Sequence, residues 1–103
     1  TDVRDIVRAY RLLAEKGQPG EVYNIGTGRD ESLASLLETL RKLARVPVEV
    51  VVDPARVRPV DQPRLLADSS KLRAQTGWEP LFSSEQTLAD MLQFWRAHLP
   101  AAA

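Results

Sequence analysis

Glu21-Val22-Tyr23-Asn24-Ile25-Gly26 and Val48-Glu49-Val50-Val51-Val52-Asp53 are two short runs rich in β-branched and aromatic residues. Each reads as a strand, over about 21–26 and 48–53. Between them Ser32 is suited to cap a helix over about 33–44. Leu33, Leu36, Leu37, Leu40 and Leu43 recur along it at helical spacing. Pro47 then breaks the chain. Strand, helix, strand at this spacing predicts a βαβ unit, with two parallel neighbouring strands and a right-handed crossover. The fold class is α/β.

Three more helices flank this unit. The first is predicted over about 3–16, capped by Asp2 or Asp5 and stopped at Gly17. Val3, Ile6, Val7, Tyr10, Leu13 and Ala14 are expected on its inner face, and Arg4, Arg8, Arg11 and Glu15 on a solvent face. Asp68-Ser69-Ser70 caps a short helix over about 70–76. Ser83 to Gln86 has capping-box spacing and opens a last helix over about 84–98, with Leu88, Met91, Leu92 and Trp95 inward.

The bulk composition excludes several classes of function. The chain has 103 residues, enough for one modest core, with 44% hydrophobic and 27% charged residues. Its formal net charge is zero, which argues against binding nucleic acid or an anionic membrane. It contains no cysteine, so a disulfide scaffold, a thiolate metal site and a cysteine nucleophile are excluded. The one histidine, His98, cannot make a His-rich metal site or a Ser-His-Asp triad. Neither a signal peptide nor an apolar run of membrane-spanning length is present in these residues. A soluble, cytoplasmic protein is expected. The sequence opens at Thr1-Asp2-Val3 without a methionine, and a fragment is expected.

Gly26-Thr27-Gly28 followed by a helix and by a strand ending in Asp53 imitates a dinucleotide fingerprint. The third glycine position holds Glu31, whose carboxylate would repel a pyrophosphate. The glycines are read instead as a tight strand-to-helix turn. Neither Tyr10 nor Tyr23 has a lysine four residues on, and neither Glu38 nor Glu49 has an obvious carboxylate partner. No self-contained active site is legible.

The stretch Arg56-Val57-Arg58-Pro59-Val60-Asp61-Gln62-Pro63 gathers cations, a carboxylate and two prolines. Proline pushes the residue before it, here Arg58 and Gln62, toward an extended conformation. A guanidinium on such a loop suits a phosphate, because its planar fork of donors matches phosphate oxygens. The plainer alternative is a solvated loop whose arginines pair with Asp53, Asp61 or Asp68.

Five phrases then align in order with one family. They are Asp2 to Tyr10, Gly20 to Gly28, Arg58 to Pro63, Asp68 to Leu72 with Gly77-Trp78-Glu79-Pro80, and Glu85 to Leu92 with Trp95-Arg96. Together they resemble the C-terminal portion of extended short-chain dehydrogenase/reductases acting on nucleotide sugars, most of all the GDP-mannose 4,6-dehydratase and GDP-6-deoxy-mannose reductase branch. The resemblance implies that residues 1–103 are a nucleotide-sugar-binding C-terminal domain. The Rossmann portion, with its NAD or NADP site and catalytic Tyr-x-x-x-Lys, lies outside this chain. It assigns no catalytic residue and no cofactor-binding residue here. By match with the family's Arg-Pro-x-Glu/Asp loop, Arg58 contacts the diphosphate and Asp61 helps to hold the substrate, with Arg56 ranked behind them. The family often has Glu where Asp61 stands. Asp68-x-x-Lys71 and Gly77-Trp78-x-Pro80 look structural, a helix cap and an aromatic plug. The implied partner is a nucleotide diphosphate sugar, GDP-linked, in a homo-oligomeric enzyme whose isolated fragment is inactive. Dehydratase, reductase and 4-epimerase stay open, as does a stand-alone α/β binding module without chemistry. An exposed apolar face is expected where the Rossmann portion would pack.

Overall fold

The computed structural model describes residues 1–59 and 64–99. Four α-helices and one 3-10 turn carry the fold: α1 Val3–Lys16, α2 Leu33–Leu43, α3 Ser70–Thr76 and α4 Ser84–His98, with the 3-10 turn at Pro54–Arg56. All four helices fall where local signals put them. Asp2 caps α1 by accepting from Arg4 N, Ser32 caps α2 by accepting from Ser35 N, and Ser83 caps α4 by accepting from Gln86 N. A side-chain cap of this kind stabilises a helix by about 1 kcal/mol. Asp68 accepts from Ser70 N at the start of α3. Gly77 ends α3 with φ 73°, a left-handed conformation that only glycine adopts without strain.

The two predicted strands are not observed. Among the described residues neither 21–26 nor 48–53 joins a ladder. A strand exists only through hydrogen bonds to a neighbour, and β-propensity alone cannot provide one. The 21–27 segment is bordered instead by side chains from residues 69–73. Lys71 Nζ donates to Val22 O (2.9 Å), Ser69 Oγ to Gly26 O (2.6 Å) and Arg73 Nη2 to Thr27 O (3.3 Å). Residues 48–53 are exposed throughout.

The core sits where α1 meets α3. Ala9, Leu72 and Trp78 are fully buried, with Leu12, Leu13, Tyr23 and Ile25 packed against them. The indole of Trp78 donates to Asp5 O at 2.9 Å, so the expected aromatic plug is present and its polar edge is satisfied. The inner face of α1 differs from the expected one. Asp5 and Ala9 are buried, whereas Val3, Val7 and Tyr10 are exposed. Arg4 and Arg8 are not merely solvated. Arg4 bridges Asp2 and Asp90, each at 2.8 Å, and lies over the Phe82 ring; Arg8 pairs with Asp5 at 2.8 Å and donates to Glu79 O.

α2 and α4 pack on each other as a second pair. Leu36, Leu40 and Leu43 of α2 and Leu88 and Leu92 of α4 are half-buried, but Met91 and Trp95, expected inward, are about half exposed. The radius of gyration is 17.5 Å, where a compact chain of this length has about 13 Å. No described helix is long and apolar enough to cross a membrane.

Candidate functional site

Asp53 caps the 3-10 turn by accepting from Ala55 N at 3.0 Å, and Pro54 supplies its first residue. That turn directs the side chain of Arg56 back to Asp53, where Nε lies 3.4 Å from Oδ2 with both groups well exposed. Arg56 thus makes a surface ion pair of the kind the plainer alternative expects, and such a pair contributes little. Arg58 follows two residues later, ahead of Pro59, and is exposed. Among the described residues no carboxylate lies within ion-pair reach of it. Asp61 and Gln62 lie outside the described residues.

A separate cleft of about 1240 Å³ opens between the 27–33 turn, residues 64–65 and the start of α4. Neither Arg56 nor Arg58 lines it. Arg64 does, together with Phe82 and Arg29, and its Nε lies 2.5 Å from Asp30 Oδ2. Thr1 and Asp2 close one side. The Asp2 carboxyl is held far below the usual carboxylate range, chiefly by hydrogen bonds from the Arg4 guanidinium and then by the Thr87 hydroxyl, against the opposing effect of burial. Lys71 beside Glu21 likewise lowers the Glu21 carboxyl. No local pattern foretold the cleft, since its walls come from four separated parts of the chain.

The glycine turn is packed against a distant part of the chain. Gly26 N donates to Ser69 Oγ at 2.8 Å while the same hydroxyl donates back to Gly26 O. A Cβ on Gly26 would come within 2.6 Å of the Ala67 Cβ. This glycine is thus required for close approach of residues 67–69. Gly28 has φ 75° and turns the chain toward α2. Glu31, at the would-be third glycine, accepts from Ser84 Oγ at 2.7 Å and so ties the turn to α4. Among the described residues no group of three or more His, Cys, Asp or Glu could hold a metal ion.

The sequence pattern of the family described as GDP-mannose 4,6 dehydratase matches residues 1–91. A GDP-6-deoxy-D-mannose reductase of Pseudomonas aeruginosa is 36% identical over 98 residues, covering 95% of this chain and 32% of the relative. A UDP-glucose 4-epimerase of Halalkalibacterium halodurans is 29% identical over 102 residues, covering 95% and 30%. The solved structure of RMD from Pseudomonas aeruginosa complexed with NADPH superposes with a TM-score of 0.87 at 33% identity, over 95% of this chain and 32% of that one. The chain thus spans about a third of the length of these relatives.

Proposed function

The chain belongs to the GDP-mannose 4,6 dehydratase family, and on that premise we propose that it is the nucleotide-sugar-binding part of a nicotinamide-dependent dehydratase or reductase. Residues 1–103 form the C-terminal substrate domain of a longer, homo-oligomeric, cytoplasmic enzyme. A Rossmann portion elsewhere in the polypeptide binds NAD or NADP, which supplies the hydride chemistry. What carries this reading is the likeness of 95% of the chain to a reductase of a GDP-linked sugar, joined by an equally broad likeness to a structure complexed with NADPH. In the longer enzyme, residues 21–26 and 48–53 find strand partners and complete the βαβ unit.

Within this reading Arg58 binds the substrate diphosphate. It is exposed and follows a turn that Asp53 fixes. Its forked donors match two phosphate oxygens. Asp61 accepts from a substrate hydroxyl. Arg56 is secondary, because it stands two residues ahead of the Arg58-Pro59-x-Asp61 stretch that matches the family's loop and has no firm counterpart there. The 29% identity to a UDP-glucose 4-epimerase supports a second reading, in which the same domain serves a 4-epimerase.

Calorimetric titration of GDP into the polypeptide encoded by the complete reading frame tests the proposal. Arg58→Ala should weaken GDP about 10- to 100-fold, the worth of a charge-assisted hydrogen-bond pair. Equal affinity would remove Arg58 from the site. Binding of UDP with no binding of GDP would move the assignment to the epimerase reading.

A further inference from the structure

The cleft beside the 27–33 turn suits an uncharged group. Arg29 and Arg64 line it, but so do Asp2, Asp30, Glu31 and Glu85, four carboxylates against two guanidiniums. That balance repels a diphosphate. The lining is also apolar in part: Leu33 and Leu65 are 79% and 80% exposed, and Phe82 joins them. Apolar side chains left bare inside a cleft suit a flat ring, with a few polar groups to fix its orientation. Arg58, which holds the diphosphate in the proposed function, stands six residues before Arg64. Six residues span at most about 20 Å, so one nucleotide can touch both. We propose that the cleft seats the base of the nucleotide and that Arg64 and Asp30 select guanine there, an inference that rests on the reading of the chain as a GDP-sugar-binding domain.

Arg64 Nε lies 2.5 Å from Asp30 Oδ2, so a cationic donor and an anionic acceptor stand side by side. Both side chains stay open to the cleft, 67% and 44% exposed. With Nε turned to Asp30, the Nη groups of Arg64 remain as donors, and a carboxylate has lone pairs for several partners. Along its pairing edge guanine offers an acceptor, O6, and then two donors, N1–H and N2–H. Arginine is a good donor to O6. The Asp30 carboxylate accepts from N1–H and N2–H, one proton to each oxygen. Uracil and thymine offer an acceptor, one donor and then a second acceptor along the same edge. Their O2 would face a carboxylate oxygen with no proton between them. Adenine would set an amine against the Arg64 donors. Hypoxanthine keeps O6 and N1–H and lacks only the N2 amine, so it isolates the contact that Asp30 makes with that amine.

Calorimetric titration of GDP, inosine diphosphate and UDP into the polypeptide encoded by the complete reading frame tests this. GDP should bind about tenfold or more tightly than inosine diphosphate, the worth of one charge-assisted hydrogen bond, and UDP should bind more weakly than either. Asp30→Ala should bring GDP and inosine diphosphate to equal affinity. Arg64→Ala should weaken both by the same factor, because both carry O6. Equal affinity of the unaltered polypeptide for GDP and inosine diphosphate would overturn the proposal, and that measurement needs no variant to fold. So would an Asp30→Ala polypeptide that keeps the original preference. A loss in Asp30→Ala seen only when a sugar is attached to the diphosphate would also overturn it, by placing the sugar in the cleft. If GDP binds and Arg58→Ala weakens it while GDP and inosine diphosphate stay equal, this inference fails and the proposed function stands. If no nucleoside diphosphate binds, both fail.

Discussion

Replacing Asp5 by alanine should cost the fold about 3–4 kcal/mol. The carboxylate is fully buried. Its Oδ1 accepts from Leu81 N at 3.0 Å and from Arg8 Nη2 at 2.8 Å, and its Oδ2 accepts from Phe82 N at 3.2 Å. Truncation leaves two backbone N–H groups without an acceptor, at about 1.5 kcal/mol each. Arg8 adds at most about 1 kcal/mol, because its side chain is partly exposed and water can replace the lost partner. Asp5→Asn keeps the shape and one acceptor oxygen, so about half the cost is expected, roughly 1.5–2 kcal/mol. These are large fractions of a total stability of about 5–15 kcal/mol. Urea unfolding followed by Trp78 fluorescence, in a Trp95→Phe background, measures them. A cost below about 1 kcal/mol for Asp5→Ala, or one no smaller for Asp5→Asn, would refute the claim that unpaired amides set the magnitude.

Two further outcomes concern the same framework. Asp2 has its carboxyl lowered in the folded chain by Arg4 and Thr87. Its stabilising contribution should therefore be complete above the ordinary aspartate value of about 3.9 and fade as pH falls through the lower folded value; Asp2→Asn should flatten that acid limb in urea midpoints measured from pH 7 downward. Gly26→Ala would press its new Cβ on that of Ala67, 2.6 Å away, at about 1–3 kcal/mol. Adding Ala67→Gly should recover most of that loss, and no recovery in the melting temperature of the double variant would show that the clash is not what destabilises.

The helices were legible because their signals are local. Asp2, Ser32 and Ser83 each cap within their own segment, and Gly77 ends α3 by its own φ. The inner face of α1 was not legible. Hydrophobic spacing marks Val3, Ile6, Val7, Tyr10 and Leu13 as one apolar stripe, but it does not say which edge of that stripe meets the core, and Val3, Val7 and Tyr10 are exposed. Asp5 turns inward because it serves amides 76 and 77 residues away. No pattern within α1 encodes that partnership. The expected strands fail for a related reason. Val48 to Asp53 has the composition of a strand, but a ladder needs a neighbouring backbone, and none of the described residues supplies one.

The site divides along the same line. Gly26-Thr27-Gly28 reads as a turn from its own residues, yet the reason Gly26 must be glycine lies in Ala67 and Ser69, some forty residues on. For the arginines, the resemblance placed Arg58 ahead of Arg56, which has no firm counterpart in the family's loop. The 3-10 turn separates them: it returns Arg56 to Asp53 and leaves Arg58 beyond the turn, ahead of a proline. On the proposed reading Arg58, which stands at the arginine of the family's Arg-Pro-x-Glu/Asp loop, ranks ahead of Arg56. Arg56→Ala should therefore weaken GDP less than Arg58→Ala does, and the reverse order in the same titration would place the anion on the turn itself.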